Sequence, residues 1–225
     1  MCKFTNFRGL KQHLIMPLVS IVKNNFGSLV GLWNMTESYD FLKTMLRRQG
    51  QYPLPPHYTH ERRIKEWVTV RVLLHEMLPS NYFDIRYNDS GKPFLDSPSG
   101  HISISHTHGH VCVMYHPHLN CGVDVELIDE RIDRVAKKFI RTDENAFLNS
   151  VKLREQLYVI WSAKEVVYKM YGKKSLDFKL NLRVQPFHLS NEGSVTAELI
   201  LNNDICPYTV NYTIKNNLLL AFASE

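Results

Sequence analysis

Two stretches far apart in this chain share one pattern. Residues 102–115 read as a strand, a polar turn and a second strand, and residues 209–222 repeat that order over the same length. Apolar and polar residues that alternate mark a half-buried strand, and two such runs around a short polar turn mark a hairpin. Hairpins are antiparallel, so a wholly parallel sheet and a pure helical bundle are both excluded. Two copies of one unit would produce this echo, and so would two unrelated hairpins.

Helical patterns lie before and between the hairpins. Residues 38–48 carry Phe41, Leu42 and Met45 at helical spacing, and residues 61–78 carry Ile64, Trp67, Val68, Val72, Leu74 and Met77 on a stripe. Residues 129–141 form an amphipathic helix, and residues 151–171 a long helix closed by Gly172 as a left-handed cap. A proline-rich break spans residues 52–58, a turn residues 88–91 and a further strand residues 121–127. From 177 to 223 the pattern is β, with turn signals at 191–193 and 202–204; residues 1–58 offer little beyond their one helix. Helices and antiparallel strands are segregated rather than alternating, which predicts an α+β fold.

The composition narrows the class. At 225 residues and 26.3 kDa, with 44% apolar and 22% charged residues, the chain suits one large domain or two small ones and not a disordered tail. The 27 basic and 22 acidic residues leave +5, which points to an anionic partner without choosing one. Residues 1–112 hold 13 Lys/Arg against 8 Asp/Glu, whereas residues 113–225 hold 14 of each. Cys2, Cys112, Cys121 and Cys206 form no CxxC pair and read as free thiols in a reducing compartment. The apolar run 14–22 is too short to span a bilayer and no signal-peptide pattern surrounds it, so the expectation is a cytoplasmic protein without a membrane anchor.

Three local constellations carry chemistry. In Gly122-Val123-Asp124-Val125-Glu126, the period of a strand puts Asp124 and Glu126 on one face and the two valines on the other. Adjacent carboxylates repel unless a cation joins them, and a hard divalent ion would do so; a solvated strand edge is the plain alternative. In the 151–171 helix, Trp161, Glu165 and Lys169 share a face at 100° per residue, with Lys164 beside Glu165. Such a Glu–Lys spacing also occurs on ordinary solvated helices. Third, Gly91-Lys92-Pro93-Phe94 precedes Ser103-Ile104-Ser105-His106-Thr107, a set of lysine, hydroxyl and imidazole groups suited to phosphate oxygens. His106, His108 and His110 also raise a zinc alternative, although no cysteine ligand accompanies them.

Taken together and in this order, GKPFL, HISISHT, GVDVE and WSAKEVVYK resemble the 4′-phosphopantetheinyl transferase superfamily. About 35 residues separate the DxE pair from the WxxKE motif, as that family requires. The likeness covers residues 60–175 well and the ends loosely, and the chain length is similar to the larger, Sfp-like group. The resemblance implies two pseudo-symmetric halves, 1–118 and 119–225, each a small antiparallel sheet packed with a long helix. It implies a monomer with the active site in the cleft between the halves.

The resemblance further implies an enzyme that moves the 4′-phosphopantetheine arm of coenzyme A onto a serine of an apo acyl or peptidyl carrier protein. Adenosine 3′,5′-bisphosphate is the leaving product. Carried over to this sequence, Asp124, Glu126 and Glu165 become ligands of Mg²⁺, with Mn²⁺ as an alternative. Arg62, Lys92, Pro93, Ser105, His106, Lys164 and Lys169 become coenzyme A contacts. Glu165 is the candidate base for the serine proton, and Lys169 and Asp124 join it in catalysis. Arg134, Lys138, Phe139 and Arg141, on the helix at 129–141, are the expected carrier-protein contacts, because carriers of this class are acidic. A Mg²⁺-dependent phosphoesterase and a basic nucleic-acid-binding protein are the competing readings; no helix-turn-helix, zinc-finger or RNA-binding signature supports the latter.

Overall fold

A computed structural model describes residues 18–23, 27–50, 52–78, 83–96, 98–173, 175–202 and 204–225. Of the apolar run at 14–22, residues 14–17 lie outside the described residues, as does Cys2, and the remainder enters the first strand. In chain order the elements are β1 (Leu18–Lys23), β2 (Leu29–Asn34), α1 (Tyr39–Gln49), α2 (Glu61–Met77), β3 (Ile85–Tyr87) and β4 (Pro93–Leu95). Next come β5 (Gly100–Thr107), β6 (His110–His116), β7 (Cys121–Leu127), α3 (Arg131–Phe139), α4 (Thr142–Asn145) and α5 (Leu153–Tyr171). The chain ends with β8 (Leu182–Val184), β9 (Glu192–Leu201), β10 (Asp204–Lys215) and β11 (Leu218–Ser224).

The fold is α+β, with two antiparallel sheets ordered β1-β2-β6-β5-β4-β3 and β7-β11-β10-β9-β8. With β1 set aside, the two orders are one and the same. Each begins with an opening strand (β2 or β7), sends the chain through a long helix (α2 or α5), and returns the last strand beside the first. The repeated hairpins now have a structural meaning. β5–β6 and β10–β11 occupy the same place in the two orders, so the echo in the sequence marks a repeated unit.

Three apolar cores hold this arrangement. One packs α5, through Leu157, Ile160, Val166 and Met170, against the second sheet. Another packs α2, through Val68, Val72, Leu73 and Met77, against the first. The third lies between the sheets, where Val30, Leu32, Cys112 and Met114 meet Cys121, Val123, Val125 and Leu220. Burying this many aliphatic side chains, at about 1.5–3 kcal/mol each, is the dominant favourable term that joins the halves. Serine hydroxyls reinforce the junction, because Ser103 Oγ accepts from the Val123 amide at 3.0 Å and Ser105 Oγ from the Val125 amide at 3.3 Å.

Each half admits its long helix over a glycine. A Cβ on Gly31 would lie 2.8 Å from Leu73 Cδ1, and one on Gly122 would run into the Val166 carbonyl and lie 2.9 Å from Met170 Cγ. The close approach of α5 to β7 brings helix side chains down onto the Asp124–Glu126 face of the strand.

Some boundaries differ from the sequence expectation. The helix at 129–141 ends at Phe139, and Arg141 opens the short α4. Within it, Ile132 and Phe139 are buried but Val135 is exposed. The turn expected at 191–193 is absent, because β9 begins at Glu192 and Gly193 pairs with Tyr212. Gly193 is a close-approach glycine rather than a turn glycine, since a Cβ there would press on the Ser190 hydroxyl and the Tyr212 ring. Among the described residues, no helix is long and apolar enough to cross a membrane, and Cys112, Cys121 and Cys206 are free thiols.

Overpacking at the α5–β7 contact tests the account of the junction. Gly122→Ala should lower unfolding stability by about 1–3 kcal/mol in urea denaturation. An unchanged midpoint would show that the helix can lift away at no cost.

Candidate active site

Strand β7 and helix α5 build a cluster of carboxylates. Gly122, Asp124 and Glu126 face α5 by the period of the strand, and Trp161, Glu165 and Lys169 face β7 by the period of the helix. Lys169 Nζ donates to Asp124 Oδ1 at 2.8 Å and to the Val123 carbonyl at 2.8 Å. Ser105 Oγ, reaching across from the first half, donates to the same Asp124 oxygen at 2.8 Å. The other oxygen, Asp124 Oδ2, is buried without a partner among the described residues. Glu126 accepts from Trp161 Nε1 at 3.2 Å and from Thr107 Oγ1 at 3.4 Å.

The cluster is short of positive charge. Burial, reinforced by the neighbouring Asp124, pushes both Glu126 and Glu165 up to about 7. Lys169 is the one cation ion-paired to the group among the described residues, and it is engaged by Asp124. All donors are hard oxygens, one is orphaned, and two carboxyls hold protons near neutral pH. That donor set fits a hard divalent cation in kind. As the side chains stand, no three His, Cys, Asp or Glu groups among the described residues are gathered closely enough to hold a metal ion.

Beside the cluster, on the other face of β5, lies a cleft of about 440 Å³ between α2 and the first sheet. Pro93, Ile104 and His106 form one wall, with Arg63, Trp67, Val70 and Arg71 of α2 opposite, and Tyr58 and Tyr87 at the rim. Arg63 Nη1 lies 2.8 Å from His106 Nε2, which makes that nitrogen an acceptor. Burial accordingly holds the His106 pKa below the usual imidazole range. Glu66, only 3% exposed, accepts from Arg62 at 2.8 Å and from Arg63 at 2.9 Å. Arg71 stacks 3.5 Å from the centre of the Trp67 ring and donates to the Trp67 carbonyl. Burial pulls its pKa down to about 10, and no carboxylate among the described residues pairs with it. An aromatic-walled cleft with one nearly buried guanidinium, that of Arg71, and an exposed one, that of Arg63, suits a planar, anionic ligand.

The expected contacts therefore separate. Asp124, Glu126, Glu165, Lys169 and Ser105 meet in the cluster, and Pro93 and His106 line the cleft. Arg62 stands at its edge and reaches it through Glu66. Arg63 and Arg71, not among the expected contacts, do line it. A charged residue inside the apolar run Thr69-Val70-Arg71-Val72-Leu73 was the available signal for Arg71.

Four expectations need correction. Lys164 does not face the cluster: its side chain is fully buried, and its three N–H groups go to Glu144 at 2.8 Å and to the Phe139 and Phe178 carbonyls at 2.6 and 3.0 Å. An ammonium with all three donors used has none for a phosphate. Phe139 is 1% exposed and packs edge-on against Trp161 at 5.1 Å, so it supports α3 from beneath rather than meeting a partner. Lys92 turns away from the cleft that its neighbour Pro93 lines, and donates to the Met170 carbonyl at 3.0 Å. Arg134 and Lys138 are exposed on α3 as expected, whereas Arg141 is occupied by Asp143 and the carbonyls of Lys179 and Leu180. Of the three histidines in the string, His106 turns to Arg63 while His110 Nδ1 sits 3.1 Å from the His108 carbonyl, so they do not converge.

Two measurements check these assignments. Lys164→Met leaves Glu144 buried without its counter-charge and should cost about 3–5 kcal/mol in denaturant unfolding, part of which Glu144→Leu restores in the double variant. The carboxyl pair sets a pH dependence. The folded chain retains protons that the unfolded chain releases between 4.5 and about 7, so stability falls as pH rises through that window and levels off above it. His101 and His106, lowered by burial, tilt stability the other way below 6.5. The carboxyl contribution is thus the slope lost in the Glu126→Gln, Glu165→Gln double variant; an equal slope in both proteins would contradict it.

Comparison with known proteins bears on the half that carries the cluster. Residues 120–223 match the 4′-phosphopantetheinyl transferase superfamily. The 4′-phosphopantetheinyl transferase gsp of Aneurinibacillus migulanus is 32% identical over 101 residues, which cover 43% of this chain and 41% of that protein. The match thus spans less than half the length of that curated relative. Asp124, Glu126, Glu165 and Lys169 all lie inside the matched span, so the half that carries the cluster is similar to the 4′-phosphopantetheinyl transferase superfamily.

Proposed function

We propose that this chain transfers the 4′-phosphopantetheine group of coenzyme A to a serine of an apo acyl or peptidyl carrier protein. The observation that carries the reading is the charge-deficient cluster of Asp124, Glu126 and Glu165 beside a cleft lined by Arg63, Arg71 and His106. Coenzyme A is a planar base on an anionic scaffold, and it needs both an aromatic cleft and fixed cations. Its nucleotide end fits the Trp67–Arg71 cleft, with the 3′-phosphate competing with Glu66 for Arg62 and Arg63. Its pyrophosphate then lies toward His106, Ser105 and the carboxylates.

Asp124, Glu126 and Glu165 would hold Mg²⁺, or Mn²⁺ in its place. Bound there, the ion supplies Lewis-acid polarisation of the pyrophosphate and neutralises the leaving phosphate. The chain's own residues do the rest. Lys169 orients Asp124 and adds positive charge where negative charge develops. Ser105 and Thr107 fix the two strand carboxylates in place. In the transfer, the serine Oγ–phosphorus bond forms and the bridging phosphorus–oxygen bond breaks. Adenosine 3′,5′-bisphosphate leaves, and the serine proton passes to Glu165. Exposed Arg134 and Lys138 lie on a helix that packs on α5, so they are placed to draw in an acidic carrier. One chain supplies every group named, and the protein acts as a monomer.

Incubation with coenzyme A, Mg²⁺ and an apo carrier should raise the intact mass of the carrier by one phosphopantetheine arm, and chelator should abolish the gain. Glu165→Gln should lower turnover far more than coenzyme A affinity. Hydrolysis of coenzyme A with no adduct on any of several carriers would favour a phosphoesterase instead. A second arm concerns docking: Arg134→Glu with Lys138→Glu should raise KM for the carrier by tenfold or so while leaving coenzyme A binding intact, as expected for loss of steering charge. Carrier kinetics insensitive to salt and to this reversal would remove α3 from the interface.

A further inference from the structure

Lys92 sits where the two halves touch, and its partners are unlike those of any other cation near the cluster. The turn that carries it is rigid. Asn88 Oδ1 accepts from the amides of Ser90 at 3.0 Å and Lys92 at 2.9 Å, the Asn88 amide donates to the Lys92 carbonyl at 3.0 Å, and Gly91 takes the left-handed φ of 84° that closes the turn. From there the side chain crosses to the second half and ends at the C-terminus of α5. Its ammonium donates to the Met170 carbonyl at 3.0 Å and to Asn120 Oδ1.

Asn120 lies in the short segment that links β6 to β7. Its amide nitrogen donates to the same Met170 carbonyl at 2.7 Å, and its backbone carbonyl accepts from the Glu225 amide at 2.9 Å. The end of a helix exposes carbonyls with no intrahelical donor, and a cation there also complements the helix dipole. Gly172 gives the lysine its room: the cap residue is left-handed at φ 63°, and a Cβ on it would lie 2.6 Å from Lys92 Cδ. Met170 directly follows Lys169, whose ammonium holds Asp124 and the Val123 carbonyl.

We infer that Lys92 is a positioning residue, a clasp from the first half that fixes the last turn of α5 and thereby the aim of Lys169 at Asp124. This role rests on the transferase reading for its kinetic consequence, but the clasp itself does not. It replaces the direct coenzyme A contact that the GKPFL resemblance implies for this lysine. Pro93 and Lys92 divide the work of one turn, Pro93 lining the cleft and Lys92 holding the helix that faces it.

The test compares Lys92→Met, Asn120→Ala, their double variant and Lys92→Arg. A positioning role predicts that either single variant lowers kcat by about tenfold or more, because a small misplacement of a catalytic group is costly. KM and Kd for coenzyme A should stay within about twofold, the double variant should be no worse than the worse single one, and Lys92→Arg should recover part of kcat. A rise in coenzyme A Kd with kcat retained would make Lys92 a substrate contact and overturn the inference, as would wild-type kinetics throughout. Hydrogen exchange supplies a readout independent of turnover. Amides at Tyr171 and Gly172 should exchange faster in Lys92→Met, and in Asn120→Ala should that variant alone fold, while amides at Leu157–Ile160 keep their protection. If the wild-type chain modifies no carrier, the transferase reading fails, and equal exchange at the helix end would separately refute the clasp.

Discussion

Three carboxylates packed between a strand and a helix, with a single lysine to balance them, are the constraint from which the rest of the architecture follows. Asp124, Glu126 and Glu165 are brought together only because α5 lies close on β7, over the bare Cα of Gly122. Burial makes their mutual repulsion strong, and the protein meets it partly with Lys169 and with hydroxyl donors from β5, and partly by keeping Glu126 and Glu165 protonated up to about pH 7. What remains unpaired is a standing demand for a cation. A fold that isolates negative charge in this way gives up stability locally, and the three apolar cores make up the difference.

The duplicated plan explains why the cluster sits at a junction. Both halves run the chain through the same strand order and send a long helix back over a glycine-bearing strand. Only the second half carries the acids. In the first, the opening strand and long helix present Trp33, Trp67, Val72 and Leu73, and the helix instead offers arginines to a cleft on the far side of β5. Strand β5 serves both: its serines and threonine turn to the carboxylates, and Ile104 and His106 turn to the cleft. The two-residue period of a single strand thus couples the arginine-lined cleft to the carboxylate cluster.

Where periodicity decides, the sequence was legible. The pairing of Asp124 with Glu126, the shared face of Trp161, Glu165 and Lys169 and the alternation of the repeated hairpin follow from spacings of two or 3.6 residues, and the cap at Gly172 from the freedom of glycine to turn left-handed. Short strands were not legible, because Ile85–Tyr87, Pro93–Leu95 and Leu182–Val184 have too few residues to show alternation. Side-chain direction was harder still. Lys164 adjoins Glu165 in sequence, but about 100° around the helix it meets Glu144 and two carbonyls instead. Lys92 adjoins Pro93, yet it still belongs to the Asn88 turn, and its side chain crosses to the Met170 carbonyl while Pro93 lines the cleft. Arg71 hid in an apolar run because nothing in the pattern says that a guanidinium will stack on Trp67 one turn earlier.

The central claim is that the cluster is held short of positive charge and is completed by a divalent cation. Calorimetric titration of Mg²⁺ at pH 7, in two buffers of different ionisation enthalpy, tests it most directly. Binding that drives off the protons held by Glu126 and Glu165 should release about one proton per ion, with release fading by pH 9 and vanishing in the Glu126→Gln, Glu165→Gln double variant. Binding with no proton release, or binding unchanged in that double variant, would contradict the account.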